Sequence, residues 1–273
     1  MDEKDRVRSI KFSMISSIIL GVLLPLFAAL LVLSVLMQRS ISSNTVEAYQ
    51  MMFDQNIREI DSAILQSNYV SSAMITYTEN NGLLKNYYQS ENEYERNLAI
   101  KKIRNMILNC NVTNLASFDG ELMILMNDGL LISSEKAVDT GHALEKQEWL
   151  MKVRKENSIP YWDTEIGNLF DWNKPENYVT YARELNHYGQ NVYGYALISI
   201  PKTLFTQFKE DIRYQKGELF MFSADGRLLS GAGKHYSEEE LLELLHVWEQ
   251  QEMRQGDYGD YYIMGRRLSY GQN

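Results

Sequence analysis

Five side chains in the middle of the chain have the types and spacing to hold a small ligand: Trp149, Trp162, Tyr181, Arg183 and Tyr195. A guanidinium can donate two parallel hydrogen bonds to a carboxylate, and indole or phenol rings can stack on another ring or on a sugar. The two-residue alternation of a strand sets Val179, Tyr181, Arg183 and Leu185 on one face, and Tyr193, Tyr195 and Leu197 on one face of the following strand. If those faces coincide, Arg183 and several phenols line one concavity. The competing reading makes the aromatics core residues and pairs Arg183 with an acid such as Glu184 or Glu165.

Catalysis has less support, and no catalytic residue, metal ligand or cofactor is assigned. His142, His187, His235 and His246 lack the HExxH or other metal spacing, and there is neither a Gly-x-Ser-x-Gly elbow nor a phosphate-binding glycine loop. The run Glu238-Glu239-Glu240 suits a helix N-terminus, which favours negative charge. A glycosidase would need only two carboxylates placed by the fold, which no motif reveals.

The location of any such site follows from the N-terminus. Met14 to Met37 is a run of 24 residues without a charge. At about 1.5 Å per residue, a helix of that length crosses a hydrocarbon core of about 30 Å with some tilt. Lys4, Arg6, Arg8 and Lys11 precede it, whereas the residues just after it offer Arg39. That bias predicts a cytoplasmic N-terminus and an extracytoplasmic chain from about residue 40. A cleaved signal peptide is the alternative, with Ser40-Ile41-Ser42 as a small-x-small site, although a secretory apolar region is usually about 7 to 15 residues.

Beyond the first twelve residues the chain has 23 basic and 33 acidic side chains, which argues against nucleic acid or anionic lipid as a partner. Cys110 is the only cysteine, so no internal disulfide forms and an ordinary apolar core must hold the fold.

From Ser43 to Tyr77 the apolar positions Val46, Tyr49, Phe53, Ile57, Ile60, Ile64, Val70 and Met74 predict a long amphipathic helix. Its stripe either packs on the following domain or, in its membrane-proximal half, forms the seam of a parallel homodimer, and the spacing leaves both open. Asn80-Asn81-Gly82 breaks that helix, and a second is predicted from Glu91 to Leu108.

The segment Gly120-Glu-Leu-Met-Ile-Leu-Met-Asn-Asp-Gly-Leu-Leu is echoed 97 residues later by Gly217-Glu-Leu-Phe-Met-Phe-Ser-Ala-Asp-Gly-Arg-Leu. Each copy predicts a strand, an Asp-Gly turn and a strand, and together they suggest two related subdomains. Between the copies the pattern predicts a helix over Ala143 to Glu156, an aromatic loop from Tyr161 to Trp172, and an antiparallel pair, Tyr178 to Leu185 with Val192 to Ile200, joined near Gly189. After the second copy, Ser237 and Glu240 form a capping box for a helix carrying Leu241, Leu245 and Trp248. Tyr261 to Met264 and Arg267 to Tyr270 are predicted to begin a further hairpin. Only 57 residues run from Gly217 to Asn273, fewer than the first unit uses, so the second unit is expected to be incomplete.

The order of membrane anchor, stalk helix and two PAS-like hairpin units resembles the double-Cache extracytoplasmic sensor domain, as in YesM-like sensor histidine kinases. The residues carrying it are Trp149, Tyr161-Trp162-Asp163 and Tyr181-Ala182-Arg183, and it spans residues 10 to 273. It implies an α+β fold: cytoplasmic residues 1–13, a transmembrane helix 14–37, a stalk and helical region 38–109, a membrane-distal subdomain 110–208 and a membrane-proximal subdomain 209–273. It further implies a distal pocket for a sugar or an amino or organic acid, and a second membrane helix, HAMP linker and kinase following in the parent protein. Amino-acid-binding relatives pair a helix arginine with a Trp-Tyr doublet; here Trp149 and Arg154 precede Tyr161-Trp162, in reversed order and further along. The expected function is ligand reception passed to the membrane through the stalk, as the input of a two-component system. A surface adhesion or scaffold module without a small ligand is the alternative, and a flat apolar patch in place of a pocket would mark it.

Overall fold

The computed structural model describes residues 14, 16–17, 19–140, 148–155, 160–164, 166–169, 177–187, 191–206, 220–222, 226, 228–230, 237–250, 255–258, 261–266 and 268. The chain divides into two compact units, Met1–Phe53 and Asp54–Asn273.

In the first unit a π-helical turn, Ile19–Leu23, leads into helix α1, Leu24–Asn80. Pro25 has no amide hydrogen to return to the preceding turn, and a widened turn is how a helix absorbs that loss. Leu20, Leu24, Phe27, Leu31 and Leu33 all face outward, and no part of the apolar span is buried against protein. The helix is long and apolar enough to cross a membrane. It passes through Ser40, Ile41 and Ser42 without a break.

In the second unit α1 turns Ile57, Ile60, Ile64, Val70 and Met74 into the core. This settles the use of that stripe from Ile57 onward: it packs on its own domain. Ile60, at 3% exposure, is a core residue and not a seam position. The helix ends where expected, at Asn80, and Gly82 takes the left-handed conformation (φ 59°) that lets the chain turn into α2, Leu83–Gln89. α2 has seven residues, with Leu83, Leu84 and Tyr87 buried, too few to show a helical period in the sequence. The side chain of Asn92 then accepts from the Tyr94 amide and starts α3, Glu93–Cys110. A π-helical turn, Asn111–Leu115, and a short 3₁₀ turn, Ala116–Phe118, carry the chain to the sheet.

The sheet has six strands: β1 Glu121–Met126, β2 Leu130–Ile132, β3 Ala137–Asp139, β4 Tyr161–Asp163, β5 Tyr178–His187 and β6 Asn191–Pro201. Their order is β3-β2-β1-β6-β5-β4, and every pairing is antiparallel. The β1–β2 and β5–β6 pairs match the expectation, whereas β3 and β4 form where the pattern shows no strand. Helix α4, Glu148–Lys155, occupies the described part of the predicted helical stretch. Gly189 and Trp172 lie outside the described residues.

Alternation divides the core into two layers. Leu122, Ile124, Ile132, Val179, Ala196 and Ile198 pack with α1, α2 and α3. Met123, Leu125, Leu131, Ala182 and Leu197 pack with Trp149, Leu150 and Val153 of α4 and with Ile166 and Leu169. Each fully buried aliphatic side chain contributes about 1.5–3 kcal/mol, which is why a sheet apolar on both faces is covered on both.

After the helical turn α5, Thr203–Thr206, come two two-stranded sheets, β7 Met221–Phe222 with β8 Leu228–Ser230, and β9 Gln255–Tyr258 with β10 Tyr261–Met264. Between them lies α6, Glu238–Gln250, with the predicted capping box: Ser237 N donates to Glu240 Oε2 (2.7 Å) and Glu240 N to Ser237 Oγ (3.3 Å). β10 pairs with the preceding β9, and of its expected later partner Arg267, Ser269 and Tyr270 lie outside the described residues, as do Gly217 and Asp225. The architecture is mixed helix and sheet with one long N-terminal helix.

Candidate functional site

The pairing of β5 with β6 decides which of the five predicted residues can meet. Tyr181 lies opposite Ile198, Arg183 opposite Ala196, and Glu184 opposite Tyr195. The face that carries Tyr181 and Arg183 is therefore the face of Ala196 and Ile198, and Tyr195 projects from the other. The two faces do not coincide, and the single concavity expected from alternation is replaced by two separate groups.

The first group lies toward α4. Trp149 sits edge-on to Tyr195, with centroids 6.5 Å apart and planes at 82°. Five residues along α4, Arg154 Nε donates to Tyr195 Oη (2.7 Å), and its guanidinium carbon lies 5.9 Å from the centre of that ring. Glu184 is 7% exposed on the same face. Burial pushes its carboxyl above the usual carboxylate range, and the positive charge of Arg154 partly offsets this. Burial likewise raises the Tyr195 phenol, opposed by the bond from Arg154.

The loop after β4 is fastened to this face. Thr180 Oγ1 and Ser199 Oγ both donate to the Gly167 carbonyl (2.7 and 3.1 Å), and Asn168 Nδ2 donates to Glu121 Oε2 (2.8 Å). Tyr161 Oη donates to the buried Asp163 (2.5 Å). These bonds satisfy polar groups that would otherwise be costly to bury.

The second group lies toward α1. Trp162 stands edge-on to Tyr181, with centroids 5.1 Å apart. Tyr181 Oη lies 2.7 Å from Ser71 Oγ and donates to Asn68 Oδ1 (3.0 Å). Arg183 Nη1 donates to Ser72 Oγ (2.8 Å) and to Ser71 Oγ (3.3 Å). The expected partner Glu184 points to the opposite face, and Glu165 lies outside the described residues.

Chemically the first group brings a guanidinium, a buried carboxyl and two aromatic rings to one face of the sheet. Arg154 and Glu184, its charged members, are not among the predicted ligand residues. The helical spacing of Trp149 and Arg154 is a usable signal, but the cross-strand register that places Glu184 beside Tyr195 is not. Among the described residues no three His, Cys, Asp or Glu side chains gather as a metal site.

No family model and no curated protein sequence matches the chain. Among solved structures, it is similar to the ligand-binding domain of the Campylobacter jejuni chemoreceptor Tlp3 in complex with L-norvaline. The TM-score is 0.37 and the identity 11%, over 78% of this chain and 84% of that one. The sensory domain of the same chemoreceptor aligns with a TM-score of 0.35 and 12% identity, over 78% of this chain and 89% of that one.

Proposed function

We propose that the chain is the membrane-anchored extracytoplasmic input region of a signalling protein, and that its ligand is a small zwitterion of the amino acid class. The observation that carries this reading is the pairing of opposite charges on one sheet face: Arg154 beside Tyr195 and the buried Glu184 opposite it. A carboxylate would take the guanidinium and an ammonium would take Glu184, whose raised carboxyl would ionise on meeting a cation. Trp149 and Tyr195 would supply the apolar wall. A guanidinium and a carboxyl on one face suit the two charged ends of an amino acid better than a neutral sugar.

The apolar span and the basic residues before it support a cytoplasmic N-terminus, with the sheet outside. In a YesM-like arrangement the output is a histidine kinase, and a second copy stands beside α1. That copy would have to use the outward face of the helix, where Leu65 and Tyr69 are exposed.

A thermal-shift screen of the full chain in detergent against the amino acids and organic acids tests the reading. A ligand at 100 times its Kd adds about 2.7 kcal/mol. That raises the melting temperature of a domain of this size by about 5–10 °C. The shift is expected to vanish in Arg154→Ala and Glu184→Gln. A shift that survives both places the ligand elsewhere, and a folded protein that responds to no member of the panel overturns the ligand class.

A further inference from the structure

Strand β5 faces two layers at once. Ala182 and Glu184 point toward α4, while Tyr181 and Arg183 between and beside them point toward α1. A displacement of the strand at Glu184 therefore cannot leave the bonds to α1 untouched.

Those bonds differ from ordinary core packing. Around them the contact between α1 and the sheet is apolar, with Val70 and Met74 fully buried, and apolar burial carries no directional preference. At Asn68, Ser71 and Ser72 it is polar, and directional bonds select discrete positions. Ser67, one turn before Ser71, is also fully buried and bonds the Ala63 carbonyl of its own helix (2.8 Å). A further hydroxyl thus lies in line along the helix.

Arg183 is held by neutral groups where it stands. Nη1 donates to two neutral hydroxyls, Nε is buried without an acceptor, and among the described residues no carboxylate pairs with the group. A guanidinium has five donors and binds anions most strongly, so two neutral hydroxyls hold this half-buried group less firmly than a carboxylate would.

We propose that Tyr181 and Arg183 form a polar latch through which strand β5 sets the position of helix α1. Movement of β5 redistributes their bonds among Asn68, Ser71 and Ser72, and so tightens or loosens the helix over residues 67–72. Both act as positioning residues and touch no ligand. The inference rests on the sensor reading only for what moves β5 in nature; the coupling is a property of the chain without ligand.

The test uses the full chain in lipid nanodiscs and hydrogen exchange read on peptides spanning residues 60–80. Glu184→Gln perturbs β5 from the α4 side, and is expected to change exchange over residues 66–75 severalfold. In a Tyr181→Phe or Ser72→Ala background the same substitution is expected to change exchange in β5 and α4 but to leave 66–75 as in the background alone. Ser72 is exposed, so Ser72→Ala keeps the fold even where Tyr181→Phe does not. Loss of packing alone would lower the melting temperature without blocking transmission. No change over 66–75 in Glu184→Gln, or equal change with and without the latch, overturns the proposal. A failed amino acid screen sinks the ligand class and leaves this result standing.

Discussion

Replacing Ile60 with aspartate separates packing from assembly. Ile60 is 3% exposed and belongs to the same apolar cluster as Ile64, Val70 and Met74. Emptying such a site costs about 2–5 kcal/mol through lost transfer energy and the residual cavity. A carboxyl placed there stays protonated and still loses its water, which adds about 1–3 kcal/mol. The total is about 5 kcal/mol, or a fall in melting temperature of about 10–20 °C for a unit of this size. Leu65 is 57% exposed on the outward side of the same helix. Leu65→Asp should change stability by no more than about 0.5 kcal/mol. Both variants of the full chain would be melted in detergent by far-ultraviolet circular dichroism and weighed by light scattering. A destabilised Ile60→Asp and an unperturbed melt for Leu65→Asp fit a stripe that packs on its own domain. Refutation would be an Ile60→Asp that melts within about 2 °C of wild type while its assembly shrinks.

Three further outcomes follow from other sites. Burial raises the Glu184 carboxyl, so the folded state holds a proton that the unfolded chain has released; stability falls as pH rises above the ordinary carboxylate range, and Glu184→Gln should flatten that slope in melts at graded pH. The Tyr87 hydroxyl donates to Asp128 Oδ2 (2.7 Å) and is pushed up to about 12, first by burial and then by that bond, so stability present below about pH 10 should be lost as pH climbs toward 12. Ultraviolet titration of Asp128→Asn should show the Tyr87 phenol ionising earlier, and Tyr88 with it, since the Asp128 charge raises both. A side chain at Gly194 would press on the Leu125 carbonyl well inside van der Waals contact, so Gly194→Ala should cost about 1–3 kcal/mol in a denaturant titration by forcing β1 and β6 apart.

Periodicity makes the elements legible where it is long or strict. The stripe of α1, the Asp-Gly turn of β1–β2 and the alternation of β5 and β6 each repeat a local rule often enough to be read. β3 and β4 have three residues each, too few for a period, and the Tyr-Trp-Asp of β4 is shared between both layers, so it carries no apolar face of its own. The grouping of the site residues is decided at a different step. Alternation correctly groups the side chains of β5 by face, but whether Tyr195 joins them depends on register across a turn, and a shift of one residue exchanges the faces. That single parity places Arg183 against serines of α1 and leaves Glu184 beside Tyr195.

The strand order has a consequence for how the chain comes to be folded. β6 is the partner of both β1 and β5, yet it follows them in sequence. As the polypeptide emerges, the helices and the β1–β2–β3 meander can form from local contacts, while β4 and β5 have no route into the sheet until Pro201 is available. Through that interval the edge of β1 is unpaired along Glu121 to Met126, and such edges invite pairing with other chains. Folding should therefore be slow to commit and quick to finish, gated by one eleven-residue strand whose arrival joins two halves of the sheet that pair only through it.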